Sequence, residues 1–94
     1  MREYELIYVV QADLDEAMLN TVIERVDELV KSNNGEAMKT ERWGKRKMAY
    51  PIRKMNEGFY VFMSYKLDPA FDAEFRRNLK YIEQVMRFIV KRND

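Results

Sequence analysis

The hydrophobic pattern of this chain switches between a period of two residues and one of about 3.6, and the order of those switches limits the folds it can adopt. Residues 2–10 and 59–67 alternate with the shorter period and are rich in β-branched and aromatic side chains, which predicts two strands. Residues 85–90 predict a further strand near the end of the chain. We expect the strand over 59–67 to be the central antiparallel partner because its pattern is the strongest.

Two segments follow the helical period instead. The first is expected to start after an acidic N-cap at Asp13, with Glu16 three residues later, and to end near Asn33. The second is expected to follow an N-cap at Asp68, with Pro69 at the first helical position, where proline is favoured. The apolar positions that should face the sheet are Met18, Val22, Val26, Leu29 and Val30 in the first helix and Phe71, Phe75, Leu79 and Ile82 in the second.

Residues 36–52 are highly charged but extended in character, and they predict a long exposed strand with a bulge near Gly44. A turn over residues 54–58 would join this strand to the next one. The resulting order is βαββαβ, which predicts a single α+β domain of the ferredoxin-like, split-βαβ type over residues 1–94. Such a domain has a four-stranded antiparallel sheet with both helices on one face, and the other face is left open.

The chain lacks residue types that several classes of chemistry require. It contains no Cys and no His, so a disulfide, a thiolate nucleophile, a zinc-finger ligand set and an imidazole base are excluded. The one tight carboxylate cluster, Asp13, Asp15 and Glu16, is explained more simply as helix capping. We therefore expect no enzyme, no metal or other cofactor and no small-molecule substrate. Without a long apolar run or a signal sequence, we expect a cytoplasmic protein that does not enter a membrane.

Charge is distributed unevenly along the chain, although the net formal charge is only +1. Residues 1–35 hold three basic and eight acidic groups, residues 36–55 hold seven and two, and residues 56–94 hold seven and six. An acidic front segment is thus followed by a basic middle one. Such asymmetry indicates a charged partner, whereas the total mainly concerns solubility.

The basic middle segment combines its charge with aromatic side chains. Residues 42–54 contain six Lys or Arg together with Trp43, Met48 and Tyr50. Clustered cations bind phosphates and aromatic rings stack on unpaired bases, so this strand predicts RNA binding. The alternative is a solvated edge strand whose charges prevent pairing with other sheets. Both interpretations hold together if a specific partner covers the edge.

Basic residues of the other strands could extend this surface. If Phe88 and Val90 face the helices, Arg87 and Lys91 project from the open face of the sheet. Arg2 starts the first strand of the same sheet. The cations of the second helix are expected to form a solvated face instead; they are Arg76, Arg77 and Lys80.

A sheet of this topology with an open face invites comparison with the RNA recognition motif, whose third strand carries a basic–Gly–aromatic signature. The segment Glu57-Gly58-Phe59-Tyr60 matches it only partly, because Glu57 replaces the basic residue and Tyr60 the small one. We therefore reject that motif and keep the fold.

Four segments spread over the whole chain resemble one family, the bacterial small-subunit ribosomal protein six. One of them matches the family's specific signature Gly-x-Arg-x-Leu-Ala-Tyr-Pro-Ile, with Met48 in place of the nearly isosteric Leu. The four segments are Met-Arg-x-Tyr-Glu at 1–5, Gly44-Lys45-Arg46-Lys47-Met48-Ala49-Tyr50-Pro51-Ile52, Gly58-Phe59-Tyr60, and Val85-Met86-Arg87-Phe88-Ile89-Val90-Lys91.

This resemblance implies a noncatalytic component of the small ribosomal subunit, which binds the central domain of 16S ribosomal RNA together with small-subunit ribosomal protein eighteen. The residues it implies as phosphate and sugar contacts are Arg2, Arg46, Lys47, Arg87 and Lys91.

The partner protein is expected to meet the apolar and aromatic residues of the charged strand, Trp43, Met48 and Tyr50, although Tyr50 could equally belong to the core. The rival interpretation is a ligand-sensing or protein-docking module without an RNA role, since the ferredoxin-like fold hosts many functions.

Overall fold

The computed structural model describes residues 1–93 and contains the predicted elements in the predicted order. Their bounds are β1 Arg2–Gln11, α1 Glu16–Ser32, β2 Glu36–Ile52, β3 Met55–Leu67, a short 3₁₀ turn Pro69–Phe71, α2 Asp72–Lys80 and β4 Val85–Asn93. The prediction of a split-βαβ, α+β fold is therefore confirmed.

The four strands form one antiparallel sheet with the order β2-β3-β1-β4. β3 lies between β2 and β1, as its strong strand pattern predicted. β2 and β4 are the two edges. Candidate functional residues on β2 and on β4 thus lie at opposite edges of the sheet.

The core lies between one face of this sheet and the two helices. Its largest fully buried side chains are aromatic, and the Tyr65 ring lies 5.4 Å from that of Tyr4 and 5.1 Å from that of Phe75. The predicted stripe of α2 is confirmed at Phe75 and at Leu79, which are fully buried. None of the helices among residues 1–93 is long and apolar enough to cross a membrane.

The start of α1 differs from the prediction by two residues. Asp15, not Asp13, is the N-cap, and its side chain accepts a hydrogen bond of 2.8 Å from the Met18 N–H. Residues 12–13 form a turn after β1, which delays the first helical residue to Glu16. The buried face shifts accordingly: Leu19 is buried and Met18 is exposed, which corrects the sequence-based choice of Met18.

The β2–β3 hairpin contains the bulge predicted near Gly44, which has a φ of 90° and lies at a shift of register. The turn itself was wrongly predicted over residues 54–58. It consists of Arg53 and Lys54 alone, both with positive φ, and Ile52 pairs with Met55 across it. Residues 55–57 belong to β3 but lie outside its pairing with β1, because β1 ends opposite Gly58 and the hairpin extends beyond the four-stranded sheet.

Candidate functional site

The far end of the β2–β3 hairpin, which we call the hairpin tip (residues 48–57), folds over one end of the open face. Met48 and Val9 are only 6% and 3% exposed, although Val9 points away from the helices. A Cβ placed on Gly58 would lie 3.5 Å from the Met48 sulfur and 3.3 Å from the Met86 Cε. The sheet face expected to be open is therefore covered at this end by its own hairpin.

Two polar contacts join the hairpin tip to the far side of the molecule. Arg53 Nη1 donates a 2.8 Å hydrogen bond to the carbonyl oxygen of Glu83, just before β4. Arg87 Nη1 donates a 2.9 Å hydrogen bond to the Tyr50 hydroxyl, and its guanidinium lies 5.6 Å from the Tyr50 ring centre. The tip of one edge strand thus reaches the other edge strand.

Three of the five residues implied as RNA contacts share the open face. Arg46 pairs with Gly58 of β3, and Arg87 and Lys91 project from β4. The condition set for the β4 residues is met, since Phe88 and Val90 pack against the core. Arg46 lies on β2, whereas Arg87 and Lys91 lie on β4 at the opposite edge of the sheet.

The remaining two residues do not join that surface. Arg2 pairs with the buried Leu67 and so lies on the helix-covered side of the sheet, at the opposite end from the hairpin tip. Lys47 pairs with Glu57, also on the helix side. The expectation that Arg2 shares a surface with the other RNA-contact residues is therefore corrected. Side chains alternate along β1, and its even-numbered residues lie on the core side of the sheet.

The three residues expected to face a partner protein have different positions. Trp43 is 37% exposed and stacks on Phe62, with ring centres 5.6 Å apart and an interplanar angle of 2°. The Arg46 guanidinium lies 5.2 Å from the Trp43 ring centre. Trp43 therefore presents a rigid aromatic surface flanked by a cation, an arrangement suited to stacking or to an apolar contact.

Tyr50 is 57% exposed, so the alternative that it belongs to the core is wrong. Met48 is the opposite case. The interpretation of Met48 as a partner-facing residue is corrected, because the bend of the hairpin tip buries it against the sheet.

The hairpin keeps a surplus of positive charge after its internal pairs are formed. Residues 42–54 hold six basic and no acidic side chains. Arg42 forms an ion pair with Glu16 of α1, which ties the basic hairpin to the acidic helix. Within residues 1–93, Lys45, Lys47 and Lys54 form no ion pair and are exposed. These cations are available to an anionic partner.

Sequence reasoning missed the apolar character of the uncovered part of the open face. Ile7, Tyr60, Phe62 and Ile89 lie there beside the cations, and Ile89 is exposed. The strict alternation of β4 predicts Ile89 on the same face as Arg87 and Lys91, and the structure confirms that position. Together with the hairpin, this face defines a split-βαβ binding module with a basic and aromatic sheet surface.

The chain belongs to the ribosomal protein S6 family, whose model matches residues 3–92. A small ribosomal subunit protein bS6 of Clostridioides difficile is 42% identical over 90 residues, covering 96% of this chain and 97% of the relative. The protein of the same name from Heliobacterium modesticaldum is 38% identical over 94 residues, covering 100% and 98%. The resemblance stated from the sequence is thereby confirmed.

Solved structures agree with this assignment. The crystal structure of 30S ribosomal protein S6 from Thermotoga maritima superposes with a TM-score of 0.91 at 28% identity, covering 98% of this chain and 87% of that one. A chemotaxis kinase CheA P2 domain has a TM-score of 0.67 at 12% identity and shares the fold alone. Family membership makes the chain a component of the small ribosomal subunit, in the cytoplasmic ribosome of bacteria.

Proposed function

We propose that the chain is a noncatalytic assembly component that binds the central domain of 16S ribosomal RNA jointly with small-subunit ribosomal protein eighteen. The observation that carries this proposal is the hairpin of β2 and β3, where unpaired cations flank the Trp43 stack. Lysine and arginine neutralise phosphates and release counterions, and exposed rings and apolar side chains supply contact area for a protein.

The charge distribution supports joint rather than independent binding. Residues 1–35 are strongly acidic and include α1, so phosphates are attracted by the hairpin and repelled by the helix layer behind it. A few phosphate contacts give only weak, sequence-independent affinity. A second protein bound beside the hairpin adds contacts in the same complex, which raises the affinity for RNA without any change in this chain.

The edge position of β2 supports a protein partner at the hairpin. β2 is 17 residues long and pairs only with β3, so one row of its backbone groups is free of sheet pairing. Such an edge can accept an extended segment of another chain. Trp43 and Arg46 lie beside this edge and would give the contact its side-chain specificity.

Binding to a central-domain RNA fragment, measured with and without protein eighteen, tests the proposal. We expect weak binding by the chain alone and much tighter binding in the presence of the partner. Equally tight binding by the chain alone would contradict the joint mechanism, and no binding in either condition would contradict the RNA role.

Arg46→Ala should lower the joint affinity and reduce the slope of log affinity against log salt by up to about 1, because one phosphate contact is lost. Arg25→Ala is the matched control, since Arg25 is an exposed arginine of the acidic helix α1. An unchanged salt slope for Arg46→Ala would remove this residue from the RNA surface.

A further inference from the structure

A cleft of about 370 Å³ lies between the hairpin tip, the end of α2 and the start of β4. Its basic walls come from three separate elements: Arg53 from the hairpin, Lys80 from the last turn of α2 and Arg87 from β4. Its floor is apolar and includes Val85 and Phe88. We call this the tip cleft. The hairpin tip contributes Arg53 to its lining.

Every charged side chain in the lining of the tip cleft is basic. Among the described residues, the lining contains three basic side chains and no acidic one. Glu83 is nearby in the chain, but it contributes its backbone carbonyl to Arg53 and is not part of the lining. Two carbonyls at the end of α2 are also engaged, since those of Asn78 and Leu79 accept hydrogen bonds from the N–H groups of Tyr81 and Ile82.

Two of the three cations are already held in place. Arg53 is fixed by its bond to the Glu83 carbonyl and Arg87 by its bond to the Tyr50 hydroxyl. A guanidinium carries five N–H donors, so each arginine keeps several for a ligand after making that one bond. The ordering of these side chains is completed before a ligand arrives, which reduces the entropy lost on binding.

We propose that the tip cleft binds one phosphate group of the RNA backbone, an inference that rests on the proposed function and adds Arg53 and Lys80 to its contacts. A phosphate presents several oxygens to donors from different directions, which matches cations on three walls. The apolar floor can pack against the edge of the sugar beside such a phosphate. It has no polar side-chain atoms that could bind a second charged group. The same chemistry could hold free inorganic phosphate, which the experiment separates from RNA.

The test compares pairs of variants in the joint complex with central-domain RNA and protein eighteen. Lys80→Gln is matched by Lys31→Gln, because both lysines are exposed and lie in the last turn of a helix. Arg53→Gln is matched by Arg25→Gln, because both arginines are exposed and Arg25, in the acidic helix α1, is not part of the lining of the tip cleft. We expect Lys80→Gln and Arg53→Gln each to lower the affinity about three- to tenfold and their controls to change it less than about twofold. Arg87 is not varied because it also holds Tyr50.

If Lys80→Gln and Lys31→Gln bind equally well while the wild-type complex forms normally, the tip cleft is not a phosphate site and the proposed function stands. If the wild-type complex does not form, the proposed function fails. Separately from these affinities, the wild-type chain is titrated with inorganic phosphate and followed by NMR. Saturable shifts confined to the side chains of Arg53, Lys80 and Arg87, with unchanged RNA affinity in the variants, would assign the cleft to free phosphate and overturn the RNA assignment.

Discussion

Asp27 is a partly buried residue whose burial disfavours the charged form of its side chain. It lies in α1, and its Oδ1 is buried with no hydrogen-bond partner among residues 1–93. Burial raises the pKa of Asp27 above its usual value, and the positive charge of Lys31 only partly offsets that effect. A charged carboxylate in this position lowers the stability of the folded state.

We expect Asp27→Asn to raise the free energy of unfolding at neutral pH. Because the folded-state pKa lies above the unfolded value, the native state holds its proton to higher pH, and stability falls as pH rises through the interval between the two values. Removing the titrating group should abolish that fall, and the two proteins should converge at a pH below the usual aspartate pKa. Urea denaturation across this pH range, with the exposed Glu28→Gln as control, provides the measurement. Parallel pH curves for Asp27→Asn and wild type would contradict the assignment.

At the scale of single elements, local contacts determine where a helix begins and how a hairpin turns. α1 begins two residues later than its acidic cluster suggested, because Asp15 bonds the Met18 N–H. The hairpin ends in two consecutive non-glycine residues with positive φ, Arg53 and Lys54, a conformation that costs roughly 1–2 kcal/mol per residue. The contact of Arg53 with Glu83 helps to hold this strained turn against the body of the protein.

Asp15→Ala should destabilise the protein by about 1 kcal/mol, since the N-cap hydrogen bond is lost and the N–H of Met18 is left without its partner. Asp13→Ala is the natural control, because Asp13 carries the same charge two residues earlier and is not the N-cap. Its effect should stay within about 0.5 kcal/mol. Chemical denaturation of both variants decides the matter; a larger effect at Asp13 would restore the cap expected from the sequence.

At the scale of the whole molecule, the hairpin tip brings three strands together around a glycine. Gly58 of β3 faces Val9 of β1, Met48 of β2 and Met86 of β4, and a Cβ at this position would lie 2.2 Å from Val9 Cγ1. This close approach lets the hairpin pack against the sheet. Arg53 of the hairpin and Arg87 of β4 then line the same cleft. One small residue therefore connects packing of the sheet to the shape of the candidate binding surface.

Gly58→Ala should destabilise the fold by about 1–3 kcal/mol through overpacking against the side chain of Val9. Val9→Ala removes the methyl groups that the added Cβ would meet and also loses buried apolar area. The double variant should therefore be more stable than the sum of the two single effects predicts. Unfolding free energies of the wild type, both single variants and the double variant test this in a double-mutant cycle, and strict additivity would show that the two positions do not compete for space.

Much of the fold followed from local patterns. The period changes predicted β1, β3 and both helices, because a buried face imposes its own spacing on the sequence. The charged, extended character of residues 36–52 predicted β2, and Gly44 marked its bulge. The same alternation correctly placed Arg87 and Lys91 on the face away from the helices. Asp13 was mistaken for the N-cap because Asp13 and Asp15 satisfy the same local rule, and only the turn after β1 distinguishes them.

The sequence by itself determined the family, the strand and helix order, and the basic character of the hairpin, since each is written in neighbouring residues. Only the tertiary structure decided that the hairpin tip folds over the sheet. That bend buries Met48, leaves Tyr50 exposed against Arg87, and draws Arg53 and Lys80 into one cleft. The physical reason is that residues such as Tyr50 and Arg87 are separated by 37 positions and meet through packing around Gly58, a contact that no local spacing encodes.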